Sequence, residues 1–316
     1  MSLIVDRQLV ELFAGILLTL LVASAAGFAL SRRVRSDAGR ATVENLNARI
    51  RAWWVMAAVF AVAVLSGRIG AVMLFALLSL LALREFITLT PTRRADHRAL
   101  LGSFFVAVPV QYYLVATEWY GLFSVLIPVY AFLFIPTSSA VAGDTDGFLG
   151  RVAEIQWGLM VCVYCVSHAP GLLMLRIPGY EGQNAKLLLF LVLVVQASDV
   201  LQYVWGKLFG RHRIAPRVSP SKTWEGFVGG IVCASLIGGA LWWATPFRPW
   251  QAMALSLAIT LSGFAGGLTM SAIKRDRGVK DYGAAIAGHG GILDRIDSIC
   301  FAAPVFFHLT RYFFTP

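Results

Sequence analysis

Charge is scarce in this chain. Of 316 residues, 27 are Lys or Arg and 17 are Asp or Glu, 14% in all, against 58% hydrophobic residues and a mean hydropathy of +0.71. So little charge cannot cover a water-exposed surface, which excludes a soluble globular domain and indicates a polytopic membrane protein. Cysteine is equally sparse. Cys162, Cys165, Cys233 and Cys300 all lie inside apolar runs, so no disulfide framework and no soluble metal site is expected. The Cys162-x-x-Cys165 pair, with His168 three residues on, reads as buried helix surface. A cleavable signal peptide is not expected either: residues 9–30 form too long an apolar run, and Arg32, Arg33 and Arg35 follow it. A net charge of +10 invites a nucleic-acid reading, but the cations sit in short loops between apolar runs, where they orient helices and meet anionic headgroups. Nucleic acid is excluded as a partner. The internal repeat of a transporter is also missing.

What is present is a succession of apolar runs of membrane length, at 9–30, 53–67, 69–83, 100–116, 120–136, 156–175, 186–205, 226–244, 250–272 and 298–312. The expected fold is all-α and polytopic, with nine or ten transmembrane helices. The second and third runs are short and meet at Ser66-Gly67-Arg68, which reads as a tight hairpin, one long tilted or broken helix being the alternative. The loops 31–52, 84–99, 206–225 and 273–297 carry six, four, five and five Lys or Arg, and those between them one or none. With ten spans every basic loop falls on one side, the cytoplasmic one, and both termini fall outside. The loop 137–155 is the weak member of that set, with Arg151 against Asp144, Asp146 and Glu154.

Residues 1–185 carry no assignable motif and read as a transmembrane scaffold. Residues 186–316 hold polar groups arranged for chemistry, in two cytoplasmic loops, 206–225 and 273–297. Asp199 lies inside a span, where an unpaired carboxylate costs several kcal/mol, and is a functional candidate on that ground. Ser219, Lys222 and Thr223 precede a helix start and suit phosphate oxygens, with Pro220 stiffening the approach. The stretch 271–298 sets Lys274, Arg275, Arg277, Lys280 and Arg295 against Asp276, Asp281, Asp294 and Asp297, with Gly288, Gly290 and Gly291 around His289. Cations for phosphate, glycines for close backbone approach and carboxylates for a divalent ion fit a polyphosphate substrate. A positive-inside loop needs the cations but not the four aspartates. Asp294 and Asp297, three residues apart, share one helix face.

This stretch resembles the signature of the phosphatidate cytidylyltransferase (CDP-diacylglycerol synthase) family, roughly S-x-x-K-R-x4-K-D-x-G-x5-H-G-G-x-x-D-R-x-D. It is met by Ser271, Lys274, Arg275, Lys280, Asp281, Gly283, His289, Gly290, Gly291, Asp294, Arg295 and Asp297. The family's S-P-x-K-T-x-E-G is met by Ser219, Pro220, Lys222, Thr223, Glu225 and Gly226. The D-x2-D-G-x2-A-R motif of a CDP-alcohol phosphotransferase is absent. The resemblance implies CTP and phosphatidate as substrates, CDP-diacylglycerol and pyrophosphate as products, and a bacterial inner-membrane location. On this reading Asp294 and Asp297, with Asp199, hold Mg²⁺, a second monovalent or divalent cation being compatible. Lys222, Lys274, Arg275 and Lys280 bind phosphates, with Arg295 among the substrate-binding groups. Ser219, Thr223 and the Gly290-Gly291 backbone complete the cradle, and His289 donates to phosphate or organises the loop. A homodimer is compatible with this reading. Two positions depart from the family: Ala287, where Pro is usual, and Gly267, where a metal-site Asp is usual. Gly267 makes a catalytically impaired or substrate-altered relative the alternative.

Overall fold

The computed structural model describes residues 6–33, 36–284 and 290–316. Among them ten long helices follow one another: α1 (Arg7–Arg33), α2 (Asp37–Leu65), α3 (Gly67–Thr88), α4 (Arg94–Ala116), α5 (Tyr120–Val141), α6 (Phe148–Met174), α7 (Ala185–Phe209), α8 (Trp224–Ala240), α9 (Pro249–Asp276) and α10 (Leu293–Phe314). Wide π-type turns interrupt α4 at Ser103–Ala107 and α5 at Leu126–Ala131. Pro109 and Pro128 explain them, since neither can donate the N–H that a regular turn needs. Between α7 and α8 lies a two-stranded antiparallel hairpin, β1 (Arg213–Ala215) and β2 (Ser219–Thr223), with Arg213 opposite Thr223 and Ala215 opposite Ser219.

The chain is an all-α polytopic membrane protein. Among the described residues, eight helices are long and apolar enough to cross a bilayer. The expected count of nine or ten differs because α8 is only 17 residues long and α10 carries Asp294, Arg295 and Asp297 in its first turns. The second and third spans are not short. α2 runs back through the basic segment, putting Arg40, Arg49 and Arg51 on a helix capped by Ser36, so the apolar span covers Thr42–Leu65 and the next Gly67–Thr88. They form a hairpin. In a continuous helix Phe60 and Phe75 would be about 22 Å apart at about 1.5 Å per residue, yet their ring centroids lie 6.5 Å apart. Gly67, at φ +79°, supplies the left-handed corner.

Ion pairs and polar contacts identify both ends of the bundle. At one end Arg151 pairs with Asp96 at 2.8 Å, Arg277 with Glu154 at 2.7 Å, and Arg93 with Asp144 and Asp146. The acids that dilute the 137–155 loop thus answer cations from neighbouring loops on the same side. At the other end Lys186 pairs with Asp6, the Gln8 amide donates to the Trp243 carbonyl at 2.8 Å, and Phe314 packs on Phe247. The ten helices therefore alternate strictly in direction, with all four strongly basic segments at one end. A cysteine placed at Arg217, on the exposed hairpin turn, should resist a membrane-impermeant thiol reagent in intact cells, whereas one at Glu181 should react. Labelling in the reverse sense would invert the orientation.

Candidate active site

The basic end is built around the N-terminus of α10. Glu85, in the last turn of α3, accepts the backbone N–H groups of Ile292 at 2.9 Å and Leu293 at 2.8 Å. Asp294 accepts the Lys274 ammonium at 2.7 Å on Oδ1, and the N–H groups of Tyr282 at 2.8 Å and Gly291 at 2.9 Å on Oδ2. Glu85 thus satisfies amides that a helix start leaves without intrahelical partners, where the helix dipole also favours negative charge, while Asp294 ties the preceding loop to the first turn. The glycines make room for them. A Cβ on Gly291 would lie 2.3 Å from Glu85 Oε2, and one on Gly283 2.8 Å from Glu85 Oε1. Gly290 adopts φ +81°, which a side chain would strain.

One turn beyond Asp294, Asp297 faces into the bundle. Its Oδ1 accepts the Ser298 N–H at 2.8 Å, and the Ser298 hydroxyl donates to Asp199 Oδ1 at 3.1 Å. Asp199 is exposed although it lies within an apolar span. A carboxylate facing lipid is costly, so it must border a recess open to water or substrate. Lys222 reaches the same place from β2: a Cβ on Gly267 would stand 3.0 Å from its ammonium, 3.5 Å from Ser298 Oγ and 3.9 Å from Asp297 Oδ2. Burial lowers the Lys222 pKa, opposed by the charges of Asp297 and Asp199. Gly267 is helical, without positive φ, and opens this space.

The remaining expected site residues divide. Thr223 caps α8, its hydroxyl accepting the Gly226 N–H at 3.1 Å. Arg275 braces the hairpin turn by donating to the Val218 carbonyl at 3.2 Å and also donates to the Val279 carbonyl, just past α9, at 3.3 Å. Ser219 pairs in β2, Lys280 is exposed, and Arg295 is half-buried beside Asp294. Glu225 accepts the N–H groups of Arg211 and His212 and the His212 ring at 2.6 Å; the ring bond and the backbone donors hold its carboxyl down to about 2. His289 lies outside the described residues.

The expected Asp294, Asp297 and Asp199 set does not form one cluster: among the described residues no three acidic, His or Cys side chains can hold a metal together. Asp294 is committed to loop donors, and Gly291 uses its N–H on Asp294 rather than on a phosphate. The pair Asp199 and Asp297 does fit Mg²⁺, which takes one or two carboxylates and fills its octahedron with water and phosphate oxygens. Glu85 was missed. A glutamate beside Arg84 at the end of an apolar run passes for loop charge, although Ala82, Leu83 and Phe86 around it are buried. The rule applied to Asp199 would have found it.

Fold and site together define a polytopic membrane protein with a charged recess at its basic end. The model of the cytidylyltransferase family matches residues 47–313, and the chain belongs to that family. It is 40% identical over 310 residues to the uncharacterized protein YnbB of Escherichia coli (strain K12), covering 97% of this chain and 98% of that protein. It is 39% identical over 130 residues to the phosphatidate cytidylyltransferase of Staphylococcus aureus (strain COL), 40% of this chain and 50% of that one. The corresponding enzyme of Mycobacterium leprae (strain TN) is 40% identical over 134 residues, 40% of this chain and 41% of that protein. The chain thus matches half or less of the length of these two enzymes.

The cap on α10 is open to a direct test. Glu85→Ala should destabilise the detergent-purified protein by about 1.5–3 kcal/mol for each charge-assisted bond lost, and Gly291→Ala should destabilise it through the clash with the same carboxylate. The double variant should then lose less than the sum of the two, by at least about 0.5 kcal/mol. Strict additivity in unfolding measurements would separate the glycine from the glutamate.

Proposed function

We propose that this protein transfers the cytidylyl group of CTP to phosphatidate, giving CDP-diacylglycerol and pyrophosphate, at the cytoplasmic face of the bacterial inner membrane. The observation that carries the reading is the convergence of Lys222, Asp199, Asp297 and Ser298 from β2, α7 and α10 on one recess at the bundle's basic end. A lipid phosphate held by the bilayer and a nucleotide arriving from water can meet there. In the reaction a phosphatidate oxygen attacks the α-phosphorus of CTP as the bond to the β-phosphate's bridging oxygen breaks, and the electron pair leaves with pyrophosphate. The second pKa of a phosphomonoester is about 6, so the nucleophile is largely ionised at neutral pH and needs no general base. The residues act by positioning and charge neutralisation.

Lys222 binds phosphate oxygens within the recess, and the exposed Lys280 meets the nucleotide's outer phosphates. Lys274, Asp294 and Glu85 keep α10 and the loop before it in place, so that Asp297 faces the recess. Asp199 and Asp297 would hold Mg²⁺, which supplies charge neutralisation on the phosphates when bound. Incorporation of labelled CTP into lipid by the purified protein should require added phosphatidate. Lys222→Ala should reduce it roughly ten- to a hundredfold, from the loss of one charge-assisted bond of about 1.5–3 kcal/mol. Near-wild-type turnover of that variant would leave Lys222 as a positive-inside residue only.

Gly267 favours a second reading, a relative with impaired or altered activity, because the carboxylate usual in the family is absent and Lys222 stands at that place. The two readings part on Gly267→Asp. The helical backbone accepts the side chain and its nearest neighbour is the flexible tip of Lys222. For an active enzyme the wild type makes the lipid-linked nucleotide at high Mg²⁺, and the substitution lowers the Mg²⁺ concentration needed. Absence of product from the wild type at every Mg²⁺ concentration, with product restored by Gly267→Asp, would establish the impaired relative instead.

A further inference from the structure

A cavity of about 650 Å³ opens at the end of the bundle remote from the active site, between the starts of α3 and α7, the ends of α4 and α6 and the connection 175–184. Small-molecule sites commonly enclose about 300–1,000 Å³. Its floor is apolar, from Ala71, Leu173, Leu175 and Leu188, and its rim carries Arg68, Glu118 and Arg176. A second cavity of about 220 Å³ shares Glu118, Leu175 and Arg176 with the first and extends to Arg311.

The arginines need an explanation. Cations are disfavoured in the short loops of this face, and Arg7 and Lys186, at the same end, each have a carboxylate of their own, Glu11 and Asp6. Arg68, Arg176 and Arg311 come from three separate elements: Glu118 pairs with Arg68 and, at 3.3 Å, with Arg176, and Arg311 lines the second cavity with Glu118 and Arg176. Arg311 lies on the Tyr120 ring, 3.5 Å from its centroid. The other acid at the rim, Glu181, is turned to its own loop, accepting the Gly179 N–H at 3.0 Å. Among the described residues Glu118 is the one non-glycine with positive φ, +58°. That left-handed backbone is costly for a residue with a side chain. It sets the carboxylate between Arg68 and Arg176, so the two guanidiniums stand at the rim with N–H groups to spare.

We propose that this cavity binds an anionic phospholipid of the leaflet opposite the active site, its phosphate on Arg68, Arg176 and Arg311 and the first part of an acyl chain on the apolar floor. Guanidinium groups match phosphate oxygens bidentately, and the leucines supply a surface that an inorganic anion would leave dry and unused. The site is independent of the cytidylyl-transfer reading.

The test is lipid binding to the full-length protein in detergent by native mass spectrometry, with palmitoyl-oleoyl phosphatidylglycerol, the matching phosphatidylcholine and inorganic phosphate as probes. Phosphatidylglycerol should bind at least tenfold more tightly than phosphatidylcholine. The Arg176→Gln/Arg311→Gln variant should abolish that preference, and Ala185→Leu, which fills the cavity without touching charge, should weaken phosphatidylglycerol at least tenfold. A preference that survives the double arginine variant would place the lipid on the basic loops of the opposite end and overturn the proposal. Equal binding of the two lipids, or displacement of phosphatidylglycerol by millimolar inorganic phosphate, would overturn it as well, the latter leaving a simple anion site.

Discussion

The active-site end depends on how the first amides of α10 are satisfied. A helix beginning inside a protein leaves its leading N–H groups without intrahelical partners, and burying them unpaired is expensive. Here Glu85 takes Ile292 and Leu293, while Asp294, in the helix's own first turn, takes Gly291 and Tyr282 of the loop before it. The caps come from opposite directions, one from α3 and one from α10 itself. Together they hold the helix start against α3 and, through Lys274, against α9. With α10 so held, Asp297 lies one turn on and meets Asp199 through Ser298.

Close helix approach is the second requirement, met by small residues. On α9, a Cβ at Gly266 would lie 2.7 Å from the Asp297 carbonyl, and on α8 one at Gly230 would lie 2.6 Å from the Gln202 amide nitrogen. Both are backbone atoms that cannot yield. Without a hydrophobic force between helices in lipid, such backbone approach is what dispersion and polar contacts require. Gly267 differs, because what occupies its space is an ammonium on a flexible stem. One of two adjacent glycines is thus fixed by packing, whereas the other faces a side chain that can move aside.

Much of this was legible in the sequence. Apolar length located the helices, and the alternation of basic loops anticipated which ends lie together, as the Arg277–Glu154 and Arg151–Asp96 pairs bear out. The start of α2 was not legible, because Arg40, Arg49 and Arg51 look like loop in a hydropathy reading while being good helix formers. Nor was the role of Asp294. Spacing of three residues tells which helix face two carboxylates share, but not that the first sits where the chain's own amides compete for it. The capping role of Thr223 and the bracing role of Arg275 were equally illegible: motif position names a residue type, whereas partners depend on what the fold brings near.

The motifs begin after residue 185, yet the contacts that organise them reach back across it. Glu85 holds the start of α10, and Glu154 on α6 holds Arg277 just past the end of α9. These are charge-assisted bonds in a poorly solvated setting, where removing one partner leaves the other's desolvation uncompensated. Among the described residues between α9 and α10, 277–284 and 290–292, the amides of Tyr282, Gly291 and Ile292 all end on carboxylates. A loop rich in glycine has many conformations to lose, so its shape must be imposed from both sides. The front half supplies one of those sides, which makes its two glutamates part of what keeps Asp297 turned toward the recess.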